Sequence, residues 1–251
     1  MIRGLYTAAA SMKALERKSD ITANNLANSD TKGFKKTGTI TESFPEVLLN
    51  RIGEAGAGAE IGEISSGSRI QRSFKDLSQG DLQQTGNPLD LALQGDGYFV
   101  VEAEAGIRYI RNGNFVLNAD SEIVSQSGEA LLDTEGERIQ LIPGEDFIIS
   151  ESGEIRFNNG LQGAQIDIVS FADPAELLQV GDNLYQPEEG AAEPLESDAR
   201  IAQGFLENSN VEIVKEMVNM IKTNRQYESN QKVISSIDQS LDKVINEVGR
   251  A

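Results

Sequence analysis

The sequence predicts an α+β fold in which long N-terminal and C-terminal helices form a coiled-coil-like bundle and flank a mainly antiparallel β domain. Apolar residues recur at helical spacing at both ends of the chain, and such a stripe has to be covered by another helix. Between the ends, short apolar runs alternate with glycine-rich turns, which is typical of antiparallel strands. The ends therefore predict assembly, and the middle predicts a β-rich body.

The C-terminal helix is predicted by an apolar residue at every seventh position, namely Ile213, Met220, Tyr227, Ile234, Leu241 and Val248. A seven-residue repeat keeps these side chains on one face of a helix. Residues 209–212 read Ser-Asn-Val-Glu, which has the form of a capping box, and Gly249 follows the repeat as a stop. Such a helix would be roughly 58 Å long at 1.5 Å per residue, so it needs partners to support it.

The N-terminal helix is predicted from Ile2 to about Asn28 by a weaker stripe of similar spacing. Its end is rich in asparagine, a residue that tolerates left-handed backbone and caps helix carbonyls. An alternative role for these amides is a bridge to neighbouring subunits, although the turn chemistry favours the cap. The predicted assembly interface at this end comprises Leu5, Met12, Leu15, Asn24, Asn25, Leu26 and Asn28, together with the six C-terminal residues above.

The middle of the chain carries turn signals between apolar runs. Asn112-Gly113-Asn114 stands between two such runs and predicts a hairpin. Residues 115–128 and 147–160 echo each other, since each begins with Phe and two aliphatic residues, carries Glu-Ile at its centre and ends in Gly. The echo supports repeated hairpins in an antiparallel domain.

These elements divide the chain into four predicted segments. Residues 1–34 hold the N-terminal helix and its turn, and residues 35–75 form a connecting extended segment. Residues 76–206 form the β-rich domain, and residues 207–251 hold the C-terminal helix. Limited proteolysis is expected to leave a core of about residues 75–205, because each helical stripe lacks most of its partners before assembly.

Charge is distributed unevenly along the 251 residues, whose formal net charge is −18. Residues 51–200 hold 9 Lys and Arg against 28 Asp and Glu, a net of −19, whereas the first 50 residues carry +2 and the last 51 carry −1. An acidic middle repels phosphate backbones and argues against a nucleic-acid partner. Near-neutral ends allow many copies to crowd together with little Coulomb repulsion.

The residues needed for most enzyme chemistry are missing. The chain has no Cys, His or Trp, which excludes disulfides, thiolate metal sites and nucleophiles activated by histidine. Gly95-Asp96-Gly97 precedes a strand rather than a helix, the wrong context for a dinucleotide loop, and is predicted to be a turn. No calcium loop occurs, and no pair among the 40 carboxylates is distinguished as an acid–base pair. We therefore expect no enzyme activity, no cofactor and no metal.

The sequence gives no membrane signal. No run approaches the ~18 apolar residues of a membrane span, so no direct membrane insertion is expected. The first residues lack the apolar core of a secretory signal peptide. Any export is expected to use another route.

Three blocks of the sequence resemble one protein family. Residues 21–35, Ile-Thr-Ala-Asn-Asn-Leu-Ala-Asn-Ser-Asp-Thr-Lys-Gly-Phe-Lys, are similar to the N-terminal signature of the bacterial flagellar axial proteins, the rod and hook family. Residues 87–99 resemble the start of the family's first outer domain, and residues 204–211 with 217–221 and 225–228 resemble its C-terminal signature. These blocks follow the family's order over nearly the whole chain.

The resemblance implies a non-enzymatic structural subunit of the flagellar basal-body rod. In that family the terminal helices form an inner tube called D0, and a β-rich D1 domain faces outward. Subunits are exported unfolded from the cytoplasm through the flagellar type III apparatus, without a cleaved signal peptide. They stack helically with copies of themselves and with adjacent rod and hook subunits. The resemblance thus implies an axial shaft that transmits motor torque to the hook.

The length of the chain indicates which class within the family it resembles. At 251 residues the chain has no room for the additional outer domain of hook proteins, so it resembles the FlgF and FlgG rod class. Residues 44–49 and 244–250 are similar to rod proteins of Gram-positive bacteria. The competing class is a soluble or surface adhesin-like binding module whose helices close on each other as a hairpin. Polymerisation, or disorder of the ends in the free monomer, distinguishes the rod subunit from that module.

Overall fold

The chain folds into two compact units. The computed structural model describes residues 2–43, 47–50, 60–64, 68–173, 177–181, 183–188, 190 and 192–249. The first unit, named here the helix unit, comprises Met1–Ala27, Thr37–Asp76 and Glu212–Ala251. The second unit, named the β body, comprises Asn28–Lys36 and Leu77–Val211. The short segment 28–36 therefore belongs to the β body although it follows directly on the first helix.

Two helices and twenty strands make up the regular structure of the described residues. The helices are α1 (Ile2–Ala27) and α2 (Ile213–Val248). The strands are β1 (Thr37–Ser43), β2 (Val47–Asn50), β3 (Glu60–Ile64), β4 (Ser68–Lys75), β5 (Leu82–Gln84), β6 (Leu91–Gln94), β7 (Tyr98–Ala103), β8 (Gly106–Ile110), β9 (Phe115–Leu117), β10 (Ile123–Ser125), β11 (Ala130–Leu131), β12 (Phe147–Ile149), β13 (Glu154–Phe157), β14 (Gln162–Gln165), β15 (Ile168–Ser170), β16 (Leu177–Val180), β17 (Leu184–Pro187), β18 (Leu195–Glu196), β19 (Arg200–Gln203) and β20 (Phe205–Glu207).

In the helix unit, α1 packs along α2 and also against β1 and β4. A Cβ placed on Gly4 would lie 3.2 Å from Cδ1 of Ile237, so the start of α1 lies beside the far part of α2, as in an antiparallel pair. Strands β1 and β4 pair antiparallel, and β2 pairs with β3 in the same sense. The Phe74 ring covers Gly38 on the opposite strand, since a Cβ there would lie 2.5 Å from the ring.

The β body is built on a nine-stranded sheet, in which β16, β17, β8, β7, β11, β10 and β9 are neighbours in that order and β15 and β18 join beside β7. Its central strand β7 alternates sides, as the two-residue period of a strand requires. Phe99 and Val101 face the main core and are fully buried, and the ring of Phe115 meets Phe99 edge-on at 5.4 Å. Tyr98 and Val100 face a second cluster that includes Tyr185, whose ring is 5.4 Å from that of Tyr98.

Two hairpins confirm the sequence echo. Strands β9 and β10 pair antiparallel, and so do β12 and β13. The same turn chemistry closes both hairpins. Asn118 Oδ1 accepts the backbone N–H of Glu122 at 2.9 Å, and Ser150 Oγ accepts that of Glu154 at 3.0 Å. In both hairpins the Glu of the repeated Glu-Ile pair therefore donates its backbone N–H to the polar side chain four residues earlier.

The predicted fold class is wrong in one respect, because the terminal helices do not form a coiled-coil-like bundle. The described residues contain two helices only, which form a single pair, and antiparallel strands predominate. Strands β1 and β4 cover part of α1 in place of further helices. The heptad face of α2 is also incomplete, since Ile213 and Tyr227 each remain 38% exposed while Glu216 and Thr223 are buried.

Two local predictions were also wrong. The Asn112-Gly113-Asn114 run does not close a hairpin, because β8 pairs with β7 and β17 whereas β9 pairs with β10. Gly113 instead allows a close backbone approach, since its C=O accepts the Leu91 N–H at 2.9 Å and a Cβ there would meet the Leu91 carbonyl. Helix α2 begins after Glu212 without a side-chain cap, so Ser209 is not its capping residue.

Candidate assembly surface and a buried junction cluster

The predicted interface residues on α2 differ in exposure. Met220, Ile234 and Leu241 are half-buried, whereas Ile213 and Tyr227 are exposed. The side chain of Val248 lies outside the described residues. Because α1 is the main element packed on α2, the half-buried members of this face are largely covered within the same chain.

The predicted interface residues at the N-terminal end also fall into two groups. Leu5, Met12, Leu15 and Leu26 are half-buried, and Asn24 is exposed. Asn28 begins a turn after α1, where its Oδ1 accepts a hydrogen bond from Thr31 Oγ1 at 3.3 Å. This contact is the kind of local turn bond that asparagine makes at a helix end.

Asn25 is fully buried and links the helix to the first strand of the same unit. Its Nδ2 donates to the Thr37 carbonyl at 2.9 Å, and its Oδ1 accepts the Thr37 N–H at 2.9 Å. The side-chain amide thus pairs with the backbone of Thr37 as a neighbouring strand would. In this structure the amide serves an intrachain contact.

A second apolar face on α2, named here the outer stripe, is exposed to solvent. It comprises Val214, Met217, Val218 and Ile221, which are 75%, 47%, 44% and 53% exposed. Their spacing of three, four and seven residues places them on one face of the helix. Over the same turns the buried side chains are the polar Glu216 and Thr223, each 2% exposed. Sequence reasoning missed the outer stripe because it followed the longer seven-residue repeat.

The outer stripe is confined to the first turns of α2. Farther along the helix the same face carries Arg225, Glu228 and Lys232, all of them exposed. Exposed apolar residues recur farther along α2 at Val233, Val244 and Ile245, but they do not continue the outer stripe.

In the β body, three buried charged side chains meet in a group named here the junction cluster, which consists of Lys35, Arg111 and Glu207. Lys35 Nζ lies 2.6 Å from Glu207 Oε1, and Arg111 Nε lies 2.7 Å from Glu207 Oε2. The Gly80 N–H donates to Glu207 Oε1 at 2.9 Å. The three side chains are no more than 5% exposed, so these bonds are made out of contact with water.

Backbone geometry holds the junction cluster in place. Gly33 adopts a positive φ of +67°, and its N–H donates to the Glu207 carbonyl at 2.8 Å. A Cβ on Gly33 would lie 2.7 Å from the Asn112 nitrogen, so only glycine fits between these chains. Arg111 also donates to the Gly97 carbonyl at 2.6 Å and to the Leu93 carbonyl at 3.2 Å. The guanidinium is therefore fixed by three acceptors.

The two cations control the ionisation of Glu207. Burial alone raises the pKa of this carboxyl, but the charges of Arg111 and Lys35 and the Gly80 N–H lower it by more. The net result is a pKa below the usual value for Glu, so Glu207 is ionised at neutral pH. The Glu207 carboxylate is thus kept charged inside the body.

Asn210 ties together three passages of the chain beside the junction cluster. Its Oδ1 accepts the Lys36 N–H at 2.8 Å, and its Nδ2 donates to the carbonyl and hydroxyl oxygens of Ser78 at 3.0 and 3.1 Å. Lys35 Nζ donates to the same Ser78 carbonyl at 2.9 Å. The segments around residues 36, 78 and 210 are therefore held at one place.

Sequence reasoning did not assign a role to the junction cluster. Lys35 and Glu207 lie in the N-terminal and C-terminal blocks of the resemblance, and Arg111 directly precedes the Asn112-Gly113 pair. One feature of the sequence could have indicated the cluster. Lys35 and Glu207 are charged residues that directly follow the apolar residues Phe34 and Leu206, both of which are buried. The sequence alone did not indicate that Lys35 would pair with Glu207, which lies 172 positions away.

The described residues offer little for catalysis. They contain no group of three or more Asp or Glu placed to hold a metal ion. A cleft of about 530 Å³ in the β body is lined by Glu151, Asp167, Glu196 and Arg200 among others. Burial and the neighbouring Asp133 and Glu196 raise the pKa of Asp167. Within the part of the chain that the structure describes, no helix is long and apolar enough to cross a membrane.

Three family models match the chain in order. Residues 5–35 match the flagella basal body rod protein model, and residues 92–166 match the flagellar hook protein FlgE/F/G D1 domain. Residues 202–247 match the flagellar basal body rod FlgEFG protein C-terminal model. Lys35, Arg111 and Glu207 lie one in each of these three regions. The junction cluster is therefore the place where the three matched regions meet.

Curated relatives align over almost the whole chain. The flagellar basal-body rod protein FlgG of Bacillus subtilis is 34% identical over 98% of this chain and 99% of its own length. The hook-basal body complex protein FlhO of the same species is 33% identical over the full length of both chains. The rod protein FlgF of Mesorhizobium japonicum is 34% identical over 98% of this chain and 97% of its own. These similarities do not favour an adhesin-like module. The chain belongs to the FlgF/FlgG class of flagellar basal-body rod proteins and is a structural subunit of the basal body, not an enzyme.

Proposed function

We propose that this rod subunit polymerises with copies of itself by burying the outer stripe of α2 against a neighbouring copy. The polymer formed in this way is the axial shaft that carries motor torque to the hook. One observation supports the proposal above all others. At the start of α2 the apolar residues face solvent while Glu216 and Thr223 are buried, the reverse of a helix that is complete within its own chain.

Burial of the outer stripe provides a driving force of suitable size. Fully burying a Val, Ile or Met side chain stabilises by about 1.5–3 kcal/mol. Joining two copies costs roughly 4–15 kcal/mol in lost freedom, so one stripe sustains only a weak contact between two copies. In a helical array each copy makes several contacts at once, which favours a polymer over a pair. A contiguous apolar patch on a soluble protein also marks an interaction site.

The residues predicted from the sequence extend this interface. Ile213 and Tyr227 on α2 keep more than a third of their surface exposed. Tyr6 on α1 was not among the predicted interface residues, but it is 68% exposed. We assign the half-buried Met220, Ile234 and Leu241 to the pairing of α1 with α2, and their exposed edges to the contact with the next copy. The near-neutral charge of both chain ends lets these surfaces approach without strong repulsion.

Membership of the family places the chain with the other rod and hook components of the basal body. Delivery through the flagellar type III export apparatus is part of our proposal. It is supported by the family and by the absence of Cys, because a chain without disulfides unfolds with no covalent link to break. Detection of the protein in the culture medium of a strain that exports but does not retain rod subunits tests this step.

The substitution Ile221→Lys tests polymerisation through the outer stripe. Lysine at a residue that is 53% exposed leaves the monomer folded, but it places a charge in the proposed contact between copies. We expect the purified variant to sediment as a monomer under conditions in which the parent protein forms polymer, and we expect a strain that carries it to lose motility.

The matched control is Gln239→Lys. Gln239 is exposed on the same face of α2, five turns beyond Ile221 and outside the outer stripe. This variant is expected to polymerise like the parent. Polymerisation of Ile221→Lys at the concentration and rate of the parent would contradict the proposal.

A further inference from the structure

The nine-stranded sheet of the β body has exposed apolar residues at both of its edges. Among the described residues it ends at β16 on one side and at β9 on the other. Leu178 and Val180 on β16 are 52% and 43% exposed, and Val116 and Leu117 on β9 are 41% and 44% exposed. An isolated bridge from Asn114 to Asp90 covers only the approach to β9, ahead of these two residues.

At both edges the exposed apolar residues are the last of a row of directly opposed side chains that begins in the main core. Val180 lies directly opposite Leu184, which lies opposite the buried Ile110, so this row runs from the core to the edge. At the other side Leu117 lies opposite Ile123, which is 1% exposed. Directly opposed residues share a face of the sheet, so Val180 and Leu117 both lie on the face that carries the main core. Each row ends in a side chain that nothing described in the chain covers fully.

Both edges also lack charge. Strand β16 reads Leu-Leu-Gln-Val and β9 reads Phe-Val-Leu, within a stretch of sequence that carries a net charge of −19. Proteins usually guard an edge strand with charged residues or proline, because an open edge pairs with other chains. Two acidic bodies repel each other over most of their surface, and the uncharged edges are places where close approach costs least.

We propose that β16 of one copy pairs edge to edge with β9 of the next copy, so that one sheet and one core face continue from body to body. The occupant of each edge is thus a second copy of this chain, an assignment that rests on the polymerisation proposed above. The contact joins two different edges, so it does not close into a symmetric pair, and it extends as an open array when its rotation does not close a ring. It adds a body-to-body contact to the contact made by the outer stripe.

Disulfide crosslinking tests this pairing, because the chain contains no Cys of its own. The single variants Leu117→Cys and Val180→Cys are oxidised under polymerising conditions, separately and as a mixture. In the proposed arrangement the two thiols face each other only between unlike variants. We expect the mixture to give crosslinked dimers, each single variant to give few, and a chain that carries both cysteines to give a ladder of oligomers.

Ile148→Cys provides the matched control, since Ile148 is a 62% exposed apolar residue on β12, in a different sheet. The mixture of Leu117→Cys and Val180→Cys is expected to give about tenfold more crosslinked dimer than a mixture of either variant with Ile148→Cys, because a specific contact raises the local thiol concentration. Strong crosslinking of Val180→Cys alone would indicate a symmetric contact and overturn the proposal. Polymer without mixed crosslinks overturns the edge pairing alone, whereas absence of polymer from the parent protein overturns the polymerisation as well.

Discussion

The helix unit and the β body bury opposite kinds of residue. The β body has a closed apolar core in which Phe99, Phe115 and Leu93 are fully buried. In the helix unit the most buried side chains include Thr22, Asn25, Glu216 and Thr223, while apolar side chains of α2 face outward. A domain that is complete in itself places its apolar residues inside.

The difference indicates which part of the molecule covers its apolar residues within the single chain. The β body buries a continuous apolar core, although single apolar residues such as Ile107, Ile148 and Leu161 remain exposed on it. It also pairs its buried Lys35, Arg111 and Glu207 within the junction cluster. The helix unit leaves the four apolar residues of the outer stripe 44–75% exposed in the single chain. We infer that the body is preformed and that the helix unit reaches its final environment only in the polymer. Variants in the β body measure how much its buried contacts stabilise it and so test this difference between the two units.

Glu207→Gln is expected to have the largest effect on the body. The substitution keeps the shape of the side chain but removes the carboxylate charge that lies between the buried Lys35 and Arg111. Breaking a buried ion pair by removing one partner destabilises by about 3–5 kcal/mol. Urea unfolding of the purified protein, followed by near-ultraviolet circular dichroism of the body's tyrosines, measures the loss.

Glu102→Gln is the matched control for Glu207→Gln. Glu102 also pairs with an arginine, since Arg138 Nε lies 2.6 Å from its Oε2, but both side chains of this pair are exposed. Exposed ion pairs are screened by water, so this variant is expected to unfold at nearly the same urea concentration as the parent. Equal midpoints for the two variants would show that burial of the junction cluster has no energetic consequence.

Gly33→Ala is expected to have the next largest effect. Alanine at a φ of +67° costs about 1–2 kcal/mol. The added methyl group would also lie within 3 Å of backbone atoms of Arg111 and Asn112, which have little room to move. Gly86→Ala separates the two costs, because Gly86 has a φ of +75° and no atom within 4 Å of an added Cβ. Urea midpoints are expected to fall further for Gly33→Ala than for Gly86→Ala, and equal midpoints would show that segment 28–36 is loosely held.

The sequence alone was sufficient to predict those elements that depend on residues close together in the chain. Period and turn chemistry gave α1 to within one residue, the end of α2, and the paired hairpins at residues 115–128 and 147–160. These features depend on residues close together in the chain, whose spacing is visible without a structure.

Features that depend on distant pairing were not predictable from one sequence. The Asn112-Gly113 pair has the composition of a hairpin turn, but the strands on its two sides pair elsewhere and Gly113 packs on Leu91 instead. The long heptad repeat hid the shorter outer stripe, because both patterns share the start of α2. Residues 28–34 were grouped with the helix that they follow, and Lys35 with the connecting segment 35–75. Lys35 instead finds its partner at Glu207, near the other end of the chain.

The pH dependence of the body is expected to be the smallest of these effects and follows from Glu207. Its pKa in the folded protein lies below the usual value of 4.5, because Arg111 and Lys35 outweigh the effect of burial. A carboxyl group with a lowered folded pKa stabilises the protein above its unfolded pKa, and this contribution is lost as the pH falls through the folded pKa. The parent protein is therefore expected to lose stability on acidification below about pH 4.5, whereas Glu207→Gln lacks this part of the loss. Urea midpoints of the two proteins between pH 7 and pH 3 should converge toward the acid end. A constant difference over that range would contradict this prediction, because it would show that Glu207 does not change its protonation in the folded body between pH 7 and pH 3.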